Sequence, residues 1–123
     1  MKVKLQRDFK DCGVTCLSYI IAHYGGYVPI EQLREDTHTT KEGVNAYDLV
    51  ETLKKYHFDS FGVRIHYEEL SAFHFPAIAH VILEQGIEHF VIIVKASSRY
   101  VWLMDPAAGK RKLTKTEFLE IWD

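Results

Sequence analysis

The chain has 123 residues, of which 47% are hydrophobic and 26% are charged, and its formal net charge is −2. This length suits one domain with a substantial core, and the composition is that of an ordinary soluble globular protein. Because like charges do not occur in runs of about five or more, a nucleic-acid partner is not expected. No apolar run approaches the ~20 residues of a membrane-spanning helix. Two cysteines are too few for a disulfide framework, which favours a reducing compartment.

Three helices are predicted in the first half of the chain. Apolar residues at helical spacing predict the first helix over residues 12–24, with Asp11 as its N-cap. Pro29 suits the first turn of a short helix over residues 30–35. An asparagine can cap a third helix over residues 45–56, whose apolar side chains follow the same helical spacing.

Strand patterns dominate the second half. Alternating apolar residues at 61–65 predict a strand, and residues 68–73 can form one helical turn. Three further strands, a short edge strand and a final helical turn that begins with a capping box are predicted at residues 76–83, 89–95, 100–105, 111–113 and 114–122. This order predicts an α+β fold, in which the N-terminal helices pack on a C-terminal antiparallel sheet.

Cys12 is the candidate nucleophile, because it lies at the predicted start of the first helix. There the helix dipole and nearby backbone N–H groups favour a thiolate, the reactive form of cysteine. Gln6 lies six residues upstream. Its side-chain amide, together with the backbone N–H of Cys12, can donate hydrogen bonds to the oxyanion of a tetrahedral intermediate.

A cysteine nucleophile needs a general base and a group that orients the base. Among seven histidines, His89 stands out because it begins a strand directly after a turn. Asp105 ends the next strand. If the hairpin turn centres near Ser97, antiparallel pairing sets His89 opposite Asp105 on one face of the sheet. The sequence therefore predicts His89 as the base and Asp105 as its partner, with His80 as a rival base.

The second cysteine is predicted to have a packing role. Cys16 lies one helical turn beyond Cys12 on the same face, where we expect a buried core thiol and no disulfide between the two. The C-x₃-C spacing, without a second pair of ligands, does not fit a zinc site, nor is it a C-x-x-C redox motif. We therefore expect neither a metal nor a cofactor.

Four segments, in their order along the chain, resemble a known family: Gln6, Asp-Cys-Gly at 11–13, Glu-His-Phe-Val at 88–91 and Asp-Pro at 105–106. They are similar to the bacteriocin-processing peptidases, which are papain-like cysteine proteases. These usually form the N-terminal domain of peptide-exporting ABC transporters. The resemblance covers essentially the whole chain and implies one peptidase domain over residues 1–123 with the papain-like fold.

The resemblance assigns a role to each candidate residue. It implies that Cys12 is the nucleophile, His89 the base and Asp105 the orienting residue, with Gln6 as the oxyanion donor. The family removes leader peptides after a Gly-Gly pair. The implied partners are a precursor peptide with an amphipathic helical leader, which docks on an apolar surface, and the transmembrane and ATPase domains of a transporter. The implied location is the cytoplasmic face of the bacterial membrane. Bulky candidates for the docking surface are Tyr47, Phe58, Phe61 and Tyr67.

Two other functions stay open at this point. The chain can be a non-catalytic domain of the same fold that captures a transport substrate, although the presence of Cys12 argues against that function. It can also be a papain-fold enzyme of another specificity, such as an acyltransferase or a general peptidase.

Overall fold

The computed structural model describes residues 11–41 and 43–123. Over these ranges, helices precede a four-stranded sheet, and a last helix follows it. The helices are α1 (Cys12–His23), α2 (Ile30–Thr37), α3 (Ala46–Lys55), α4 (Tyr67–Leu70) and α5 (Lys115–Ile121); the strands are β1 (Ala77–Ile82), β2 (Glu88–Ala96), β3 (Tyr100–Asp105) and β4 (Gly109–Thr114).

Side-chain caps explain where two of the helices begin. Asn45 accepts a hydrogen bond from the backbone N–H of Asp48 at 2.8 Å, and this bond starts α3. Thr114 and Glu117 form a reciprocal capping box at the start of α5. Both caps were predicted from the sequence, and the first three predicted helices are confirmed within one or two residues at most boundaries.

The strand predicted at residues 61–65 is wrong. Residues 58–66 form no regular secondary structure, and Phe61 and Val63 are exposed. A strand is stabilised by hydrogen bonds to a neighbouring strand, and this segment has none. The hydroxyl of Ser60 donates instead to the backbone carbonyl of Val50 at 2.7 Å, which ties the segment to α3.

The sheet is antiparallel throughout and has the order β1-β2-β3-β4. Side chains of β2 alternate between its two faces, as pleating requires. One face packs against a core formed largely by α1, through Phe90 and Ile92. The other face packs against α4 and α5, through Val91 and Ile93. The predicted arrangement of N-terminal helices on a C-terminal antiparallel sheet is therefore confirmed.

Gly13 allows the start of α1 to approach α3 closely. A Cβ atom at this position would lie 2.3 Å from Cγ1 of Val44 and 3.2 Å from Cδ2 of Leu49. The first of these distances is far shorter than any normal van der Waals contact. The absence of a side chain at residue 13 therefore sets the position of the helix terminus that carries Cys12.

We predict that Gly13→Ala lowers the free energy of unfolding by about 1–3 kcal/mol, because the new methyl group overlaps Val44 in a packed region. The direction of this change is informative, because replacing glycine by alanine within a helix normally stabilises it by up to ~1 kcal/mol. Urea denaturation measures the change. The same substitution in a Val44→Ala background should cost less. An equal loss in both backgrounds would show that the contact with Val44 is not the cause.

Candidate active site

The structure brings together three of the four residues predicted to form the site. Cys12 is the first residue of α1 and is buried, with 6% of its surface exposed. His89 and Asp105, at the ends of neighbouring strands, are also buried. Gln6 lies outside the described residues, so its role remains a prediction.

The buried His89–Asp105 pair forms the centre of the site. Nε2 of His89 lies 2.8 Å from Oδ1 of Asp105. The same carboxylate oxygen accepts a second hydrogen bond, from the backbone N–H of Ala107 at 2.8 Å, and the other oxygen lies 3.7 Å from Nη1 of Arg111. These contacts fix the carboxylate, and the carboxylate in turn fixes the orientation of the imidazole ring.

A β-bulge in β2 determines which way these two side chains face. The pairs on the turn side are Ala96–Val101 and Lys95–Trp102, and the pairs on the far side are Ile93–Leu103 and Ile92–Met104. Val94 is thus the extra residue of the bulge. If this pairing is continued past Ile92–Met104, Asp105 lies opposite Val91. His89 is two residues from Val91 along the same strand, so His89 is a diagonal neighbour of Asp105 on the same face.

The predicted register was therefore wrong by two residues. The turn centres between residues 98 and 99, since Ala96 pairs with Val101, and not near Ser97. A shift of two residues keeps every side chain on its face, whereas a shift of one reverses it. Without the bulge, the turn-side register would set Asp105 opposite Ile92, whose side chain lies on the other face from His89. With the bulge, His89 and Asp105 lie on the same face of the sheet, so the predicted contact between them is present.

The surroundings of His89 favour its charged form. Burial of the ring favours the neutral imidazole and is the largest effect. The hydrogen bond with Asp105, the nearby Cys12 thiol and the negative charges of those two groups together outweigh burial and raise the pKa of His89 to about 9.

Asp105 is held in its ionised form. Burial alone would raise its pKa, but hydrogen bonds from His89 and from the backbone N–H of Ala107 lower the pKa of the carboxyl group, as do the positive charges of His89 and Arg111. An ionised Asp105 is the partner that a positively charged imidazole requires.

Cys16, the predicted core thiol, and His80, the rival base, have surroundings that differ from those of Cys12 and His89. Cys16 is fully buried in the core beside α1, which confirms its predicted packing role. Burial, followed by the charges of Cys12 and Asp105, raises the pKa of the Cys16 thiol and keeps it protonated. The ring nitrogens of His80 lie 2.7 Å from Asp123 and 3.3 Å from Glu88.

The structure corrects one candidate for the docking surface. Tyr67 is 6% exposed and packs against Phe118 in the second core, so it was wrongly chosen. Tyr47 and Phe61 are exposed, at 70% and 66%.

Arg34 is a residue near the site that the sequence reading missed. Its guanidinium pairs with Asp11, the residue directly before Cys12, through contacts of 2.9 and 2.6 Å. The partners are 23 residues apart on different elements, and a basic residue on a short polar helix gives no local signal of such a contact.

No group of His, Cys, Asp and Glu side chains that could hold a metal ion occurs among residues 11–41 and 43–123. Within the same part of the chain, no helix has the length and hydrophobicity needed to span a bilayer.

Comparison with protein families finds that the peptidase C39 family model matches residues 1–123. A curated relative is the lactococcin-G-processing and transport ATP-binding protein LagD of Lactococcus lactis subsp. lactis. It is 37% identical over 123 residues, a match that covers 98% of this chain and 18% of LagD. The chain thus spans less than a fifth of that relative's length.

Two solved structures share the fold. A double glycine motif protease from an AMS/PCAT transporter, in complex with the leader peptide, has a TM-score of 0.88 and 30% identity; the match covers 98% of this chain and 84% of that chain. The peptidase domain of Streptococcus ComA, a bifunctional ABC transporter of a quorum-sensing pathway, has a TM-score of 0.89 and 28% identity, with 98% and 91% covered. The papain-like α+β fold predicted from the sequence is confirmed.

We predict that the imidazole of His89 titrates near pH 9. Asp105→Asn should move this midpoint to lower pH, because it removes the negative charge that offsets the lowering of the pKa by burial. NMR titration of the ring protons measures both midpoints.

Since the pKa of His89 is raised from 6.5 to about 9, and that of Asp105 is lowered from 3.8, the pair should stabilise the fold fully between about pH 4 and 6.5.

The stabilisation should be lost as the pH rises through 9, and also as the pH falls through the lowered pKa of Asp105. Denaturation of the wild type and Asp105→Asn across this range provides the control. A wild-type midpoint below 6.5, or one that Asp105→Asn leaves in place, would contradict the assignment.

Proposed function

Because the chain belongs to the peptidase C39 family, we propose that it is a cysteine endopeptidase that removes leader peptides after a Gly-Gly pair. The single observation that carries the cysteine mechanism is the buried His89–Asp105 pair, whose imidazole interacts with Cys12 at the start of α1. The relatives' names and the leader-bound structure support the choice of substrate.

The reaction begins with His89 as imidazolium, which its raised pKa supports at neutral pH, and with the sulfur of Cys12 as the nucleophile. Sγ of Cys12 attacks the carbonyl carbon of the second leader glycine. When the tetrahedral intermediate collapses, the C–N bond breaks and His89 gives its proton to the leaving amine of the mature peptide. The leader is left as a thioester on Cys12.

Water completes the cycle. Neutral His89 takes a proton from the water molecule as its oxygen attacks the thioester carbonyl carbon. The C–S bond then breaks, which releases the leader as its carboxylic acid and restores the Cys12 thiolate beside the His89 imidazolium. The acid then loses its proton to solvent. Asp105 keeps the ring oriented in both steps and offsets its positive charge.

The oxyanion of each tetrahedral intermediate needs hydrogen-bond donors. The backbone N–H of Cys12 is one candidate because it lies at the first position of α1, where the helix dipole also favours negative charge. The side-chain amide of Gln6 is the second, by its position in the sequence alone. Such donors are worth roughly 10²–10³-fold in rate each.

The proposed setting is an ABC transporter. LagD is about five times longer than the match, so we place the present residues as the peptidase domain of such a transporter, at the cytoplasmic face of the membrane. The precursor is the substrate, and the transmembrane and ATPase domains are the partners. Exposed Tyr47 and Phe61 remain candidates for the apolar surface on which a helical leader docks.

The alternative of a non-catalytic capture domain is less well supported. A domain that only binds a substrate has no need of a buried imidazole between a carboxylate and a thiol, because burying ionisable groups costs free energy that binding does not recover. A papain-fold enzyme of other specificity would have the same thiol, imidazole and carboxylate. It is distinguished from a double-glycine peptidase by the bond that it cleaves.

We predict that Cys12→Ala abolishes cleavage of a synthetic double-glycine precursor, because the nucleophile is removed, while the fold is kept. Mass spectrometry of the products locates the cleaved bond, and circular dichroism checks the fold. Cys16→Ala is the matched control and should retain most of the activity, since that thiol is protonated and packed in the core.

Precursors with Gly-Ala or bulky pairs before the scissile bond test the specificity in the same assay. Turnover by the Cys12 variant would refute the proposed nucleophile. Equal cleavage of all the precursors would refute the proposed specificity.

A further inference from the structure

The N-cap of α1 is occupied by a residue that does not cap the helix. Asp11 holds the N-cap position, and aspartate is among the residues that most often accept a hydrogen bond from the N–H groups of the first turn. No such side-chain bond is present at α1. By contrast, Asn45 and Thr114 make the expected bond at the starts of α3 and α5.

Arg34 on α2 holds the Asp11 carboxylate instead. Its Nε donates to Oδ1 at 2.9 Å and its Nη2 donates to Oδ2 at 2.6 Å, a bidentate arrangement. Asp11 is 5% exposed. A buried carboxylate so close to Cys12 needs a partner, and the guanidinium both neutralises its charge and fixes its direction.

The pair has two consequences for Cys12. First, the carboxylate does not take up the N–H groups at the start of α1, which are the groups that can stabilise a thiolate or an oxyanion. Second, the positive charge of Arg34 offsets a negative charge one residue from the sulfur. A capping carboxylate at this terminus would compete for the same N–H groups and repel both anions.

We infer that Arg34 is a positioning residue of the proposed peptidase: it holds Asp11 away from the first turn of α1 and so keeps that turn available to the reacting anions. The inference rests on the proposed function. Arg34 acts through Asp11 and need not touch the substrate.

The other side of α2 provides a matched control. Asp36 accepts a hydrogen bond from Lys55 at 2.6 Å, and it also accepts bonds from Gln32 and from the hydroxyl of Tyr56. The contacts with Lys55 and Tyr56 anchor α2 to α3, just as the Arg34 contact anchors α2 to α1. Lys55→Gln therefore removes an ion pair with the same 2.6 Å contact distance from the same helix without changing the start of α1.

The test compares kcat and KM of Arg34→Gln, Lys55→Gln and the double variant Asp11→Ala/Arg34→Gln on a double-glycine precursor. Arg34→Gln should lower kcat about 10- to 100-fold, less than the roughly 10²–10³-fold loss of one oxyanion donor because the donors remain in place, and leave KM nearly unchanged. The double variant should regain most of that loss, because the competing carboxylate is gone. Arg34→Lys, which keeps the charge but not the fork geometry, should be intermediate.

Alkylation of Cys12 by iodoacetamide at pH 7, followed by mass spectrometry, gives a readout that needs no peptidase activity. Among the described residues, His89 and Cys16 are ionisable groups that interact with Cys12, and neither is changed in the variants. Arg34→Gln should react more slowly than the wild type, and the double variant should recover. Thermal denaturation confirms that each variant is folded at the assay temperature.

The inference is overturned if folded Arg34→Gln keeps the wild-type kcat, or if Lys55→Gln lowers kcat equally. It is also overturned if the double variant is no better than Arg34→Gln, since the pair would then only join two helices. Failure of the proposed function gives a different result: the wild type would cleave none of the double-glycine precursors. The alkylation rates would still decide the role of Arg34.

Discussion

The hydrogen bond between His89 and Asp105 is the interaction on which the rest of the site depends. Both groups are buried, and removing charged groups from water costs several kcal/mol unless a partner is held in good geometry. Here the geometry is provided by two neighbouring strands, by the backbone N–H of Ala107 and by Arg111. At this end of the sheet, the oriented imidazole interacts with Cys12, the first residue of α1.

Much of the fold could be predicted from the sequence, because helices and paired strands leave local periodic signals. The strand predicted at residues 61–65 failed because alternation describes one segment and does not show whether a neighbour is available for pairing. The hairpin register failed because the turn centres between residues 98 and 99 and not near Ser97, and the bulge at Val94 then reduced the error to two residues. The contact between His89 and Asp105 was still predicted, since the error in register was an even number of residues.

The site divides in a similar way. Cys12 and Cys16 could be told apart in advance because their helical positions imply different depths; both are buried in the structure, but Cys12 keeps 6% of its surface exposed and Cys16 keeps none. The link from Arg34 to Asp11 could not be predicted, since it joins two helices whose relative placement no local pattern sets. A contact between two elements, such as that of Arg34 with Asp11, is therefore found only when the fold is known, whereas the Asp-Cys-Gly motif around Cys12 can be found in the sequence.

The central claim is that the sulfur of Cys12, beside His89, is the atom that attacks the leader. A leader peptide that ends in a Gly-Gly chloromethyl ketone tests it most directly, because the attacking atom becomes permanently bonded to the peptide. Digestion and mass spectrometry of the adduct then locate that atom. The account predicts one adduct per chain, on Cys12, with Cys16 unmodified. An adduct on Cys16, or an unmodified Cys12 in a chain that still cleaves its precursor, would contradict it.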